Sequence, residues 1–175
     1  MFLELIATFV MGIGGAGVVM LANKILRGRL PRWLVPAVAG GAMIGFAIWS
    51  EYSWYPRTSG ALPDEVVIAW ANEDAKPWKP WTYAFPQINR FVAVDTGTIR
   101  TNAALPGQRM VDLYLMGRWA PGRQVRIMVD CQEGRRADLM EGVELDENGA
   151  VDPEAWVDMP NDDPVLQTAC NVEVG

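Results

Sequence analysis

Phe2–Ala22 (FLELIATFVMGIGGAGVVMLA) and Trp33–Ser50 (WLVPAVAGGAMIGFAIWS) are two apolar runs divided by a short basic loop, and their reading decides the fold. The first carries a single charge, Glu4, and the second carries none. At a rise of about 1.5 Å per residue, each run coiled as a helix measures about 30 Å, the thickness of a bilayer's hydrocarbon core. Both runs are apolar on every side, which a core helix of a soluble domain rarely needs. The pattern predicts a transmembrane hairpin with spans at about 2–22 and 33–50 and a connecting loop over 23–32.

Lys24, Arg27, Arg29 and Arg32 lie between the runs with no acid among them. The positive-inside rule places such a loop in the cytoplasm, and so both chain ends in the periplasm of a bacterial inner membrane. Aromatic residues agree with that orientation. Trp33 marks the inner interface, while Trp49, Tyr52, Trp54 and Tyr55 gather where the second span leaves the bilayer. A cleaved signal peptide is the rival reading of the first run. It requires positive charge ahead of the apolar core, where this chain has only Met-Phe-Leu-Glu.

Gly12-Ile-Gly14-Gly-Ala-Gly17 spells the G-x-G-x-x-G of dinucleotide-binding folds. That motif needs a strand before it, an amphipathic helix after it, and an acid some 20 residues on. Lys24, Arg27 and a second span follow instead, so the glycines read as small residues for close helix packing. Ala37, Gly41 and Gly45 repeat the theme every four residues in the second span. The spacing suits packing within the hairpin and packing on other integral membrane subunits equally well.

Cut near residue 51, the composition separates. Segment 1–50 has four basic residues against one acid, a net +3; segment 51–175 has eleven against twenty, a net −9. The outer segment is the size of one ordinary domain. Its negative balance argues against nucleic acid and against adhesion to anionic lipid head groups. No internal repeat is present. Residues 51–63, with Pro56, Ser59, Gly60 and Pro63, read as a linker, and 64–175 as a mainly β (α+β) periplasmic domain.

Within that domain, Asp64–Trp70, Ile88–Val94 and Thr98–Thr101 read as strands, with a turn at 95–97 and a loop at Pro106-Gly107. Trp54, Trp78 and Trp81 suit either a core or an interfacial contact surface. Met110–Trp119 and Val125–Cys131 alternate apolar and polar residues, so they read as a hairpin with one buried and one wet face. A three-residue loop, Ala120-Pro121-Gly122, with Gly122 left-handed, pairs Val111 with Cys131 and Leu115 with Ile127. Gly134–Glu141 reads as a short helix, and Asp152-Pro153-Glu154 as a helix start ended by Pro160. Leu166–Val174 reads as a closing strand.

After Arg136 the chain holds eleven acids and no basic residue, a pattern of solvated surface. Asp146, Asn148 and Asp152 fall at ligand positions of an EF-hand-like loop, but Ala155 stands where the bidentate Glu belongs. This leaves a weak calcium candidate. Cys131 and Cys170, the only cysteines, both lie in the outer segment, where an oxidising compartment favours a disulfide between them.

Catalytic chemistry is hard to place. The chain has no histidine, which removes the commonest general base and metal ligand. Neither the nucleophile elbow nor the phosphate-binding loop is present, and no cofactor is implied. The sequence favours a non-catalytic accessory subunit of a larger inner-membrane complex, such as a respiratory or photosynthetic electron-transfer assembly. There the hairpin packs in the membrane, the outer domain caps the periplasmic side, and segment 138–163 suits a basic periplasmic protein. The alternative is a stand-alone, membrane-tethered periplasmic binding or sensing module, with calcium as its candidate ligand. A histidine-free hydrolase is the remote third.

Topology is checked with reporter fusions. A phosphatase after Gly175 is expected to be active in the periplasm, and a fluorescent reporter between Arg27 and Arg29 in the cytoplasm. The reverse pattern defeats the orientation.

Overall fold

The computed structural model describes residues 2–102, 105–139, 146, 149–160 and 162–172. The chain divides into two units, one up to Trp54 and one from Tyr55 onward.

The first unit is built on two long helices, α1 (Phe2–Ile25) and α2 (Leu34–Ser59). Their mean hydropathies are 2.2 and 1.4, apolar enough to cross a membrane. Most of their large apolar side chains are exposed, Phe9, Ile13, Leu21 and Ile44 among them. A core helix would bury that face. α1 ends where Arg27 and Gly28 turn left-handed, with φ of 55° and 79°. The Gly28 N–H donates back to the Asn23 carbonyl at 2.8 Å, a Schellman-type closure. The Asn23 side chain then accepts from the Leu30 N–H, staping the start of the basic loop. At the other end the Ser50 hydroxyl donates to Glu4 Oε1 at 3.2 Å, one helix to the other.

Both helices outrun the sequence boundaries. α1 continues three residues past Ala22. α2 runs on to Ser59, so most of the expected linker 51–63 is helical. Pro56 is a breaker by its sequence, yet α2 continues three residues past it and gives up one i→i−4 hydrogen bond within its last turn.

The second unit is a curled antiparallel sheet of six strands in chain order: β1 (Val66–Asp74), β2 (Gln87–Asn102), β3 (Leu105–Gly117), β4 (Arg123–Asp130), β5 (Arg135–Asp138) and β6 (Val157–Asp158). A helix, α3 (Pro164–Asn171), packs on one face. Val94, Val111, Leu113, Ile127 and Val129 meet its Val165, Leu166 and Ala169 there, all buried. The opposite face is covered as well. Met128 and Ala137 pack with Val151 and Trp156, while Tyr55 stands edge-on to Phe91 with ring centroids 5.5 Å apart. The wet face expected of the β3–β4 hairpin is therefore only partly wet.

Register departs from the sequence reading by four residues. Val111 pairs with Ile127 and Leu115 with Arg123, where Cys131 and Ile127 were expected. The parity is right, so the same side chains face the core. The connection is longer because Met116 and Gly117 stay paired with β2 while β4 begins only at Arg123. Gly122 is not left-handed. Its lack of a side chain serves close approach, since a Cβ there would lie 2.7 Å from Met116 Sδ. Leu115 and Trp119, expected in the core, are exposed at the open end of the pair.

Other elements also change type. The turn at 95–97 is a bulge inside the long β2, where the Thr96 N–H bonds to Glu65 O, and Pro106-Gly107 lies within β3. The stretch from Gly134, read as a helix, gives strand β5 after a left-handed Gly134 (φ 69°). Asp152 does cap a helical turn, accepting from the Glu154 N–H, but that turn ends at Ala155, well before Pro160. The closing strand is instead α3, started by Asp163, whose carboxylate accepts from the Leu166 N–H, and by Pro164 in the first turn.

Cys131 and Cys170 are joined, Cα atoms 5.8 Å apart, tying the end of β4 to α3. In the chain-entropy picture, closing a loop of this length stabilises by about 4 kcal/mol. Replacing both cysteines by serine is expected to lower the urea midpoint of the outer unit accordingly and to expose α3 to protease. An unchanged midpoint would show that α3 is held without the bridge.

Candidate functional site

The small residues of the two helices sort into a filled seam and an open surface. A Cβ at Gly12 would fall 2.8 Å from Met43 Cγ, and one at Gly15 would fall 3.0 Å from Ala42 Cβ and 3.3 Å from the Val38 carbonyl. At Gly15 a side chain would crowd the Val38 backbone, and at Gly12 it would press on the Met43 side chain. Gly15 was not singled out by the sequence motif, yet it lies at the tightest backbone approach. Gly14, Gly17, Gly40, Gly41 and Gly45 have open space where a side chain would stand. Ala37, Gly41 and Gly45 are exposed on one helix face, so that ladder takes no part in the hairpin.

The basic and aromatic markers fall around this hairpin. Lys24 lies in the last turn of α1, and Arg27, Arg29 and Arg32 in the connection, all exposed. Trp33 and Trp49 are exposed, Tyr52 and Trp54 half-buried. The Tyr55 ring also stands edge-on to Phe91.

In the outer unit, three polar devices hold the sheet and α3, and the sequence pattern did not single them out. Arg109 on β3 donates through Nη1 to the carbonyls of Ala169 and Val172, at 3.0 and 2.7 Å, neutralising the C-terminal end of α3. Asp112, buried opposite Arg126 in the β3–β4 ladder, accepts from Arg126 Nε at 2.7 Å and Nη2 at 3.1 Å. This bidentate bond from Arg126 holds the Asp112 carboxyl below its ordinary range, against the opposing effect of burial. Burial alone would raise the Asp130 carboxyl. The Glu133 and Gln132 amides and Arg135 together outweigh burial and lower it.

The calcium candidate is not assembled as a set by what is described. The Asp146 carboxylate accepts from the Ala150 N–H at 2.7 Å, and Asp152 caps its own short helix, so each serves a local turn. Asn148 lies outside the described residues. Among the described residues no group of three or more His, Cys, Asp or Glu side chains could hold a metal ion.

One end of the sheet is different in character. The β1–β2 connection folds around Thr82, fully buried, whose hydroxyl accepts from the Lys76 N–H at 2.9 Å and donates to the Lys79 carbonyl at 2.6 Å. A 3-10 turn, Pro80–Tyr83, completes it. With Thr82 inside, the aromatic side chains point out: Trp78 is 71% exposed, Phe85 68%, Tyr83 65% and Trp81 44%. The core option for Trp78 and Trp81 is thereby closed. Trp119, 55% exposed beneath the Arg118 guanidinium, joins them from the β3–β4 connection, which bonds to β2 through the Arg118 N–H and the Asn89 carbonyl.

No protein-family model, no curated protein and no solved structure matches this chain. Its function is therefore argued from its own residues.

Asp112 and Asp130 give the outer unit a defined acid response. A carboxyl held below its ordinary value of about 3.9 binds a proton less readily folded than unfolded. Its stabilisation is complete above about pH 5 and is lost as pH falls through the folded value. Unfolding midpoints are expected to drop between pH 6 and pH 3. Asp112→Asn should cost about 1–2 kcal/mol at pH 7 and flatten that slope. A slope unchanged in Asp112→Asn would assign the acid response elsewhere.

Proposed function

We propose that the chain is a non-catalytic accessory subunit of a multi-protein complex in a bacterial inner membrane. In this reading α1 and α2 span the bilayer and pack on other integral subunits, and the outer domain caps the periplasmic side. Complexes of respiratory or photosynthetic electron transfer are the class in view, with a basic periplasmic protein docking on segment 138–163.

The observation that carries the reading is the ladder Ala37, Gly41, Gly45. The hairpin seam is already made by Gly12 and Gly15 against Val38, Ala42 and Met43. A second row of small residues, left open on the same hairpin, offers close backbone approach to a further helix. The chemistry of the outer domain points the same way. The chain has no histidine, its two cysteines are consumed in a bridge, and its best-placed carboxylates, Asp112 and Asp130, are committed to arginines and backbone amides.

Extracted in digitonin and run on a blue native gel, the protein is expected in a band far heavier than its own monomer or dimer. Gly41→Leu and Gly45→Leu should each move it toward the monomer while leaving the disulfide and the near-ultraviolet spectrum of the outer domain intact. If the wild type runs alone and both variants migrate with it, the accessory-subunit reading fails and the tethered binding module replaces it.

A further inference from the structure

The outer domain carries a net charge of −9 over segment 51–175, but its charges are unevenly spread over the sheet. Where β1 ends and β2 begins, Asp74 pairs with Gln87, and where β3 ends, Gly117 pairs with Arg90. That end of the sheet holds Lys76, Lys79, Arg90, Arg118 and Arg123 against Glu73 and Asp74. Asp74 is itself bonded to Lys76 at 2.9 Å, and Lys76 lies 5.7 Å from the centre of the Trp78 ring. At the opposite end, where Val66 pairs with Asp95 and Gln108 with Asp130, the acids Asp64, Glu65, Asp95, Asp130, Glu133 and Asp158 stand with Arg100, Arg109, Arg135 and Arg136, a balance that leaves this end acidic.

The position of a bilayer relative to this sheet is limited by chain length. If α2 spans the membrane, Ser50 ends its apolar run and Tyr55 follows five residues later in the same helix, about 8 Å further on. The head-group layer is itself about 5–7 Å deep. Tyr55 packs on Phe91, which stands four residues from Gln87 at one end and four from Asp95 at the other, about 13 Å each way. The outer unit is tethered to the end of the span by only a few residues, and chemistry decides which end of its sheet meets the lipid surface. The end with the excess of acids, where Trp156 is half-buried against Arg135, is disfavoured by anionic head groups. A basic end bearing tryptophan, tyrosine and phenylalanine matches them, because amphipathic rings favour the interfacial layer and cations its negative potential.

We infer that the rim of Trp78, Trp81, Tyr83, Phe85 and Trp119, with the cations around it, beds into the anionic head-group layer of the bilayer that α1 and α2 cross. The rim is presented ready-made. Thr82 locks the β1–β2 connection from inside, so no ordering of that turn is needed on contact. This inference rests on the membrane-spanning reading of the two helices and is independent of any partner subunit.

The native cysteines are both in the disulfide, so one introduced cysteine takes a label uniquely. The full chain is reconstituted alone in nanodiscs, with an environment-sensitive fluorophore at Tyr83→Cys, Glu65→Cys or Ile44→Cys. Quenching is read from lipids spin-labelled in the head group and in the acyl chain. In discs of three parts phosphatidylcholine to one part phosphatidylglycerol, head-group quenching at position 83 is expected to exceed that at position 65 at least threefold. It should fall at least twofold in pure phosphatidylcholine and again with Arg90→Glu and Arg123→Glu together. Acyl-chain quenching at position 44 reports the span itself. Quenching at 44 with none above the level of 65 at position 83 overturns the rim proposal and leaves the span standing. No quenching at 44 overturns both. Shielding of position 83 in native membranes but not in the lipid-only discs would assign the rim to a protein partner and likewise overturn the lipid proposal.

Discussion

α3 is the element on which the outer unit closes, and it is fastened at both ends and along its side. Eight residues of helix are too few to be stable alone. Asp163 satisfies an amide at its start, Arg109 takes up two carbonyls at its end, and the Cys131–Cys170 bridge ties its last turn to the end of β4. Held so, it places Val165, Leu166 and Ala169 over the sheet. Without it, Val94, Val111, Leu113, Ile127 and Val129 would form a solvent-facing apolar sheet, which a meander of this size could not keep folded or soluble.

What was legible beforehand follows from which signals are local. The two long helices were, because composition over 18 or more residues needs no tertiary context. The disulfide was, because two cysteines alone in a chain have one way to bond within it. The face each residue of β3 and β4 presents was legible, but the register was not. Parity comes from alternation, whereas the length of the connection depends on Met116 and Gly117 staying with β2. α3 was misread for a different reason. Its β-branched valine and threonine suggested a strand, yet Asp163-Pro164 is a helix start, and Val165, Leu166, Ala169 and Cys170 recur at helical spacing. β5 was misread because Arg135–Asp138 has no strong pattern of its own and is a strand through its ladder to β4.

The glycine motif shows the same limit within a helix. Gly12 to Gly17 reads as one object in sequence, but a helix distributes it around its circumference. Gly12 and Gly15, three apart, fall on the seam, while Gly14 and Gly17 face away. Small-residue spacing therefore says that close packing is possible, and only the geometry of the pair says which ridge is already used.

The separation of charge in the outer unit is a product of topology. In an antiparallel meander the first and third connections emerge at one end of the sheet and the second and fourth at the other. The chain places Lys76, Trp78, Lys79, Trp81, Tyr83 and Phe85 in the β1–β2 connection and Arg118 and Trp119 in the β3–β4 connection, so they meet at one rim although some 40 residues apart in sequence. Asp158, one of the acids after Arg136, pairs with Arg135 toward the other end of the sheet. There a Cβ at Gly149 would stand 3.1 Å from the Asn102 side chain, at the far end of β2. A net charge averages these two ends and suggests repulsion from an anionic surface. The field near such a surface decays within about 8–10 Å, so the end that approaches decides the sign of the interaction.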